Sequence, residues 1–139
     1  MITQENSFGI SRSTLNNSGV PSFCLALGVD APEVNDVYNT TITPAADISF
    51  NNNNYTDAQI REKVQRTISI IKHPNYAPSS LPSPLTSSFY RAIAVVIWHY
   101  TDNLNVNSNN YTWTGSNGNT YSAKKLKQWV NNGTLQKSD

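Results

Sequence analysis

The stretch FYRAIAVVIWHYTDN, residues 89–103, decides how this chain folds. Every residue from Ala92 to Trp98 is apolar, and the run ends abruptly in the polar residues HYTDN. A helix that is apolar on all sides belongs in the interior of a domain, because none of its faces suits water. We therefore predict that a helix capped by Ser83, with Pro84 at its first position, runs through this stretch and forms the buried centre of the fold.

A second helix is indicated upstream, within NYTDAQIREKVQRTISIIKHP, residues 54–74. Thr56 and Gln59 have the spacing of a capping box, in which each side chain satisfies a backbone N–H group of the other residue. Pro74 ends the pattern, since proline cannot continue a helix. The predicted buried stripe of this helix consists of Ile60, Val64, Ile68 and Ile71.

The C-terminal part predicts a hairpin followed by a short helix. In NNYTWTGSNGNTYSA, residues 109–123, Tyr111 and Trp113 alternate on one arm, the turn lies in GSNGN, and Thr120 and Tyr121 lie on the return arm. SAKKLKQWVNNG, residues 122–133, reads as a helix between Ser122 as its N-cap and Gly133 near its end. The predicted inward face of that helix consists of Leu126, Trp129 and Val130.

Two other segments have the patterns of strands. SFCLALGV, residues 22–29, is an apolar run of strand length, and DVYNTTITP, residues 36–44, alternates and is rich in β-branched residues. Helices and small strands in this arrangement predict an α+β fold. A chain of 139 residues fits one domain, so we predict a single domain over residues 1–139.

The composition gives no sign of several classes of function. The formal net charge is +1 and only 14% of residues are charged, so neither a nucleic-acid surface nor an acidic metal store is indicated. The apolar runs are shorter than the roughly 18 to 20 residues that span a bilayer. A single cysteine, Cys24, excludes an internal disulfide and a zinc site built from cysteines alone.

Cys24 is nevertheless the first candidate for chemistry. Free cysteines are often small buried hydrophobes, and this is one interpretation. A cysteine hydrolase or transferase is another, and it would need His73 or His99 as its base. A third is a non-covalent binding module that presents the aromatic residues Tyr111 and Trp113 on a loop.

Two short motifs, taken in order, resemble those of a known family. Phe23-Cys24-Leu25 comes first, and Val95-Val96-Ile97-Trp98 runs on to Thr101-Asp102-Asn103 much later. Together they resemble the thioester domains of adhesins on Gram-positive bacteria, in which a hydrophobic pair flanks a Cys and a Gln precedes a Trp by four residues. The resemblance extends over nearly the whole chain. It implies a small β-sandwich-like part packed with a helical subdomain of about three helices.

Ala94 departs from that family pattern, which has Gln at this position. In the family, the Cys thiol attacks the Gln amide, ammonia leaves, and an internal thioester remains that a Lys amine can open. Alanine has no acyl carbon, so this chain cannot make the bond at residue 94. A Gln-to-Ala replacement, made deliberately or present in an inactive homologue, would keep the helix intact. Native small packing at this position is the alternative.

Tyr90, Trp98 and Thr101 share a helix face with position 94 and would wall a thioester against water. Ordinary core packing is the alternative role for each, and above all for Tyr90. The cysteine motif and this helix are therefore expected to pack together, with Cys24 facing Ala94 and with Trp98 largely buried beside them.

The resemblance also implies a biological setting. In its Gln form the domain would bind a host extracellular or cell-surface protein through a Lys side chain, and a fibrinogen-like ligand is one example. Each molecule would react once, so it would not be an enzyme, and it would need no cofactor and no metal. We expect a monomer that neither binds nucleic acid nor inserts into a membrane. Its expected location is the bacterial cell surface, with cell-wall anchoring through parts absent from this chain.

Overall fold

The computed structural model describes residues 2–7, 10–15, 21–23, 25, 48–72, 79–107 and 109–133. Within them, helices α1, α2 and α3 span Asp57–Lys72, Ser87–Asp102 and Ala123–Asn131. Strands β1 to β5 span Ile2–Ser7, Ile10–Leu15, Pro21–Ser22, Thr112–Thr114 and Thr120–Ser122. The α+β fold with about three helices that the sequence predicted is confirmed.

An antiparallel sheet in the order β1-β2-β3 lies against α2. β1 and β2 pair along their whole lengths, from Ile2 opposite Leu15 to Ser7 opposite Ile10. The sequence did not predict these two strands, because they are polar and lack the alternation that marks a half-buried strand. Both strands contact the central helix α2.

The strand predicted over residues 22–29 is confirmed at Ser22 and is wrong at Phe23 and Leu25. β3 pairs with β2 only through Pro21 and Ser22, and Phe23 and Leu25 already lie outside the sheet. Both of these side chains pack against the hydrophobic core. An apolar run predicts burial but does not distinguish a strand from a segment that crosses the core surface. Cys24, residues 26–30 and the strand predicted over residues 36–44 lie outside the described residues.

Helix α1 begins with the predicted capping box. The backbone N–H of Gln59 donates to Thr56 Oγ1 at 3.2 Å, and the backbone N–H of Thr56 donates to Gln59 Oε1 at 2.9 Å. Each bond satisfies an N–H group that a helix start would otherwise leave unpaired. The spacing of Thr56 and Gln59 in the sequence was therefore sufficient to predict this cap.

The predicted inward stripe of α1 is confirmed in part. Ile60 and Val64 are buried, but Ile68 is only half-buried, and the side chain of Ile71 lies outside the description. Ile70 is fully buried and was not in the predicted stripe. The reason is that α1 contacts both α2 and α3, so its buried face is wider than a single row of side chains.

Helix α2 starts later than predicted. Thr86, and not Ser83, is its N-cap, and Thr86 Oγ1 accepts a hydrogen bond from the Phe89 backbone N–H at 3.3 Å. Ser83 and Pro84 are exposed and precede the helix, with a cis peptide bond between them. Ser83 and Thr86 both have capping side chains, so residue type did not decide between them. The cap at Thr86 places the fully buried Phe89 in the first turn.

The second half of α2 is the buried centre, as the sequence predicted. Every residue from Ala92 to Ile97 is buried. The helix ends at Asn103, which adopts the left-handed conformation with φ of 57°. Its backbone N–H and that of Leu104 both donate to the carbonyl oxygen of Trp98. Asn tolerates this conformation better than most residues, which explains the abrupt stop after the apolar run.

The predicted hairpin is confirmed as β4 and β5, which pair Trp113 with Tyr121. The hairpin docks onto the segment before α2 through hydrogen bonds from Trp113 and from its turn. The Trp113 indole N–H donates to the Ser80 carbonyl at 2.8 Å, and the backbone N–H groups of Ser116 and Asn117 donate to the Leu81 and Ser79 carbonyls. A Cβ atom at Gly115 would lie 2.8 Å from the Ser79 and Ser80 carbonyl oxygens, so only glycine fits this approach.

Helix α3 has the predicted bounds. Ser122 occupies the N-cap position without a side-chain capping bond, and the Ala123 backbone N–H donates to the Tyr111 carbonyl at 3.1 Å. Gly133 follows the helix with φ of +73°, as expected for a glycine stop. Arg66 on α1 donates to the Val130 carbonyl at 3.2 Å and satisfies one group at the helix end. In the predicted inward face, Leu126 and Val130 are fully buried and Trp129 is half-buried.

Candidate functional site

Position 94 lies midway along α2, on the same face as Tyr90, Trp98 and Thr101. Residues three or four apart on a helix are surface neighbours, so Tyr90 and Trp98 flank Ala94 directly. Ala94 is 7% exposed and Tyr90 is 6% exposed. The Cβ atom at position 94 is therefore largely enclosed.

Phe23 brings the N-terminal motif to this face. Its ring stacks on the ring of Tyr90, with 6.5 Å between centroids and 24° between planes. Leu25 packs against the core as well. Cys24 itself lies outside the described residues, so the prediction that its sulfur faces Ala94 stays a prediction. Its two covalent neighbours are nevertheless placed, and one of them packs on a residue a single helical turn from position 94.

Trp98 and Thr101 occupy the C-terminal half of the same face. Thr101 is buried at 1% exposure, and its hydroxyl donates to Asp102 Oδ2 at 2.8 Å. Trp98 is only partly buried, which is less than the sequence led us to expect. Trp98, His99 and Asp102 are all only partly buried, whereas Tyr100 and Thr101 are buried, so the side of α2 that holds Trp98 is less covered at this end of the helix. Thr101 lies about 10.5 Å along the axis from residue 94.

Arg91 is a polar residue of this region that the sequence reasoning missed. It lies three residues before position 94 and is only 9% exposed. Arginine is rarely this buried, because removing its charge from water is costly. The sequence carries no local signal for this burial, since arginine is mostly exposed.

His99 and the loop around Asn52 form the end of α2. The carbonyl oxygen of Leu104 lies 2.8 Å from His99 Nδ1, and because a carbonyl can only accept, this nitrogen carries the proton. The side-chain amide of Asn52 donates to the carbonyl oxygen of Tyr100 at 2.9 Å. Burial lowers the pKa of His99, the bond to Leu104 opposes this, and the positive charge of Lys127 lowers it further. His99 is thus a neutral structural residue at this helix end, while His73 lies outside the description.

Acidification is expected to weaken the fold through His99. Since the folded pKa lies below the ordinary 6.5, the unfolded chain binds more protons as the pH falls through that value. The contribution of neutral His99 to the free energy of unfolding is complete above about pH 6.5. It is lost progressively as the pH falls toward the lowered pKa of the folded state. Urea unfolding between about pH 7.5 and about pH 5.5 measures this, with His99→Gln as the control. An equal slope of stability against pH in both proteins would contradict the assignment.

The aromatic residues of the hairpin do not form the exposed loop that a binding module would present. Trp113 is 2% exposed and packs edge-on against Phe89. Tyr111 precedes β4, is 37% exposed, and has a positive φ of 59°. The prediction that both residues alternate on a strand was therefore wrong for Tyr111, whose backbone instead turns to meet the start of α3. Of this pair, only Tyr111 faces solvent.

The comparison with known proteins agrees with the two motifs. A model of the thioester domain family matches residues 21–134, which is most of the chain. The chain therefore belongs to the thioester domain family, and this membership supports an adhesin-type function and a surface-exposed location. No curated protein and no solved structure matches it. Among the helices that the structure describes, none combines the length and apolarity needed to cross a membrane.

Proposed function

We propose that this domain is the framework of a covalent adhesin in which Cys24 and a Gln at position 94 form an internal thioester. The observation that carries the proposal is the stack of Phe23 on Tyr90, which joins the cysteine motif to the helix that holds residue 94. Family membership supports the same pairing. In the form that carries Ala94, the domain keeps the fold and lacks the acyl group.

The direction of side chains on a helix favours this pairing. The Cα–Cβ bonds of a helix tilt toward its N-terminus, so a residue covers the turn before its own Cα. A Gln at position 94 would extend over Tyr90, about 6 Å along the axis, toward the ring of Phe23. The amide carbon would thus lie on the side of the helix where Phe23, the residue before Cys24, packs.

The chemistry is two acyl transfers. The Cys24 sulfur attacks the side-chain amide carbon of the Gln at position 94, the C–N bond breaks, and ammonia leaves with the thiol proton. The amine of a Lys on a partner then attacks the thioester carbon, the C–S bond breaks, and the released sulfur regains a proton. An isopeptide bond joins the two proteins, and the domain has been consumed. It is therefore a reagent that reacts once and not an enzyme with turnover.

The proposed partner is a host extracellular or cell-surface protein that presents an accessible Lys, for which a fibrinogen-like protein is one candidate. The proposed setting is the outer surface of a bacterium, with attachment to the cell wall. The domain acts as a monomer in this scheme, because one molecule contains both reacting groups. Neither nucleic acid nor a membrane takes part.

A hydrolase that pairs Cys24 with His99 is less well supported. Phe23 packs at Tyr90, which precedes His99 by nine residues, or about 13.5 Å along the helix axis. His99 Nδ1 is already bonded to the Leu104 carbonyl at the far end of α2. The position of Phe23 therefore supports residue 94, rather than His99, as the reaction partner of the adjacent cysteine.

Replacing Ala94 with Gln tests the proposal by intact mass and thiol reactivity. The present chain is expected to show its full calculated mass and one thiol that an alkylating reagent modifies after unfolding. The Ala94→Gln protein should have lost one ammonia, and its thiol should no longer react, because the fold supplies the proximity that drives the attack. Cys24→Ala in the Ala94→Gln protein is the matched control and should retain full mass. An Ala94→Gln protein that is folded, of full mass and freely alkylated would refute the thioester.

A further inference from the structure

We propose that the ring of Tyr90 is a positioning residue for thioester formation: by stacking on Phe23 it holds the neighbouring Cys24 against residue 94. This inference rests on the proposed function and names the group that brings the reacting atoms together. In this scheme Tyr90 forms no covalent bond with Cys24 or with the Gln at position 94. Its proposed action is through the stack with Phe23.

Three observations place Tyr90 in this role. It lies one turn before position 94, on the same face of α2. Its side chain is 6% exposed, so its ring is confined by its surroundings. The planes of the Tyr90 and Phe23 rings form an angle of only 24°, and the ring centroids are 6.5 Å apart. Stacked aromatic pairs within this range contribute attraction beyond the area that they bury.

The need for such a contact follows from the local backbone. β3 ends at Ser22, so no strand pairing holds Phe23 or Leu25 in place. Side-chain packing must then fix this part of the chain relative to α2. Leu25 packs against the core, and Phe23 packs on Tyr90. A reaction that depends on proximity loses about a hundredfold when the reacting atoms are displaced by about 1 Å, so the loss of one packing contact should be measurable as a rate.

The first experiment uses the present chain and does not depend on the thioester. Tyr90→Leu removes the ring, while Tyr90→Phe keeps it. Alkylation of Cys24 in the folded protein should become at least several-fold faster in Tyr90→Leu and stay unchanged in Tyr90→Phe. Tyr55→Leu is the matched control: it removes a different aromatic contact, with Tyr100 at 5.7 Å, and should leave the alkylation rate unchanged.

The second experiment places the same substitutions in the Ala94→Gln protein and follows ammonia loss by mass during cell-free synthesis. Tyr90→Leu should slow this loss by about a hundredfold, while Tyr90→Phe and Tyr55→Leu should match the parent. Urea unfolding of each variant separates a loss of stability from a loss of positioning, since Tyr55→Leu should be destabilised without losing the reaction.

The outcomes distinguish the two proposals. If ammonia loss is equally fast in Tyr90→Leu, the thioester stands and the positioning role of Tyr90 is overturned. If Tyr90→Phe is as slow as Tyr90→Leu, the hydroxyl and not the ring is responsible, and the inference is again overturned. If the Ala94→Gln parent never loses ammonia while Tyr90→Leu still exposes Cys24, the contact is real and the proposed function fails, together with the role of Tyr90 in it.

Discussion

The Ala94→Gln protein is expected to couple covalently to amines, and the present chain is expected not to do so. Methylamine should add at residue 94 and release the Cys24 thiol, because it attacks an activated acyl carbon that Ala94 does not provide. Mass spectrometry of the intact protein and its peptides measures both changes. The effect is all-or-none, since no other route joins an amine to an alanine side chain.

The same protein should form an adduct with a Lys-bearing host protein that survives boiling in detergent. Cys24→Ala in the Ala94→Gln protein should abolish this adduct, as should prior treatment with methylamine. Addition of methylamine without any adduct to a panel of extracellular host proteins would confine the activity to small amines and contradict the proposed partner. Conversion of residue 94 to Glu before any amine adds would show that the site fails to exclude water.

Truncation of Trp113 is expected to cause a larger loss of stability than truncation of Trp98. Trp113 is 2% exposed, contacts Phe89, and donates its indole N–H to the Ser80 carbonyl at 2.8 Å. Trp113→Ala should lower the free energy of unfolding by about 3–5 kcal/mol, because it empties a core site and leaves a buried carbonyl without its donor. Urea unfolding followed by circular dichroism measures this change.

Two further variants test the separate contributions of the Trp113 hydrogen bond and of its burial. Trp113→Phe retains a ring but not the donor and should cost roughly 1–2 kcal/mol, even if Trp113→Ala does not fold. Trp98→Ala removes the same kind of side chain from a half-buried site and should also cost roughly 1–2 kcal/mol. A Trp98→Ala protein less stable than Trp113→Ala would mean that α2, and not the hairpin, depends on its tryptophan.

The helices were largely predictable because their signals are local. Thr56 and Gln59 satisfy each other within one turn, and the apolar run from Ala92 to Ile97 has only one stable place, the core. The start of α2 was not predictable from residue type, since Ser83 and Thr86 are both good caps. What decides is which of them brings Phe89 into the core, and that depends on contacts with the distant hairpin.

The two motifs named the candidate site residues, and the pairing of residues 24 and 94 stays a prediction because Cys24 lies outside the described residues. The sequence named Tyr90 as a residue that would shield a thioester or as ordinary core packing, and it did not indicate the stack of Tyr90 with Phe23. Its partner Phe23 is far away along the chain, and no periodicity within either segment indicates that the two rings meet. The N-terminal sheet was missed for a related reason, since β1 and β2 are recognised by pairing with each other and not by their own composition.

The fixed ends of α2 have a consequence for the lifetime of a bond at its centre. The Thr86 side chain caps the N-terminal end, and the Asn52 amide donates to the Tyr100 carbonyl at the C-terminal end. The hairpin turn is hydrogen-bonded to the segment before the helix. Helices usually open by fraying, and here both fraying ends are held, so amide protons near residue 94 should exchange only when the whole domain opens. A thioester at that residue would be exposed to water on the same rare occasions. The rate of thioester hydrolysis would then follow the global unfolding equilibrium, and any substitution that destabilises the domain would increase that rate.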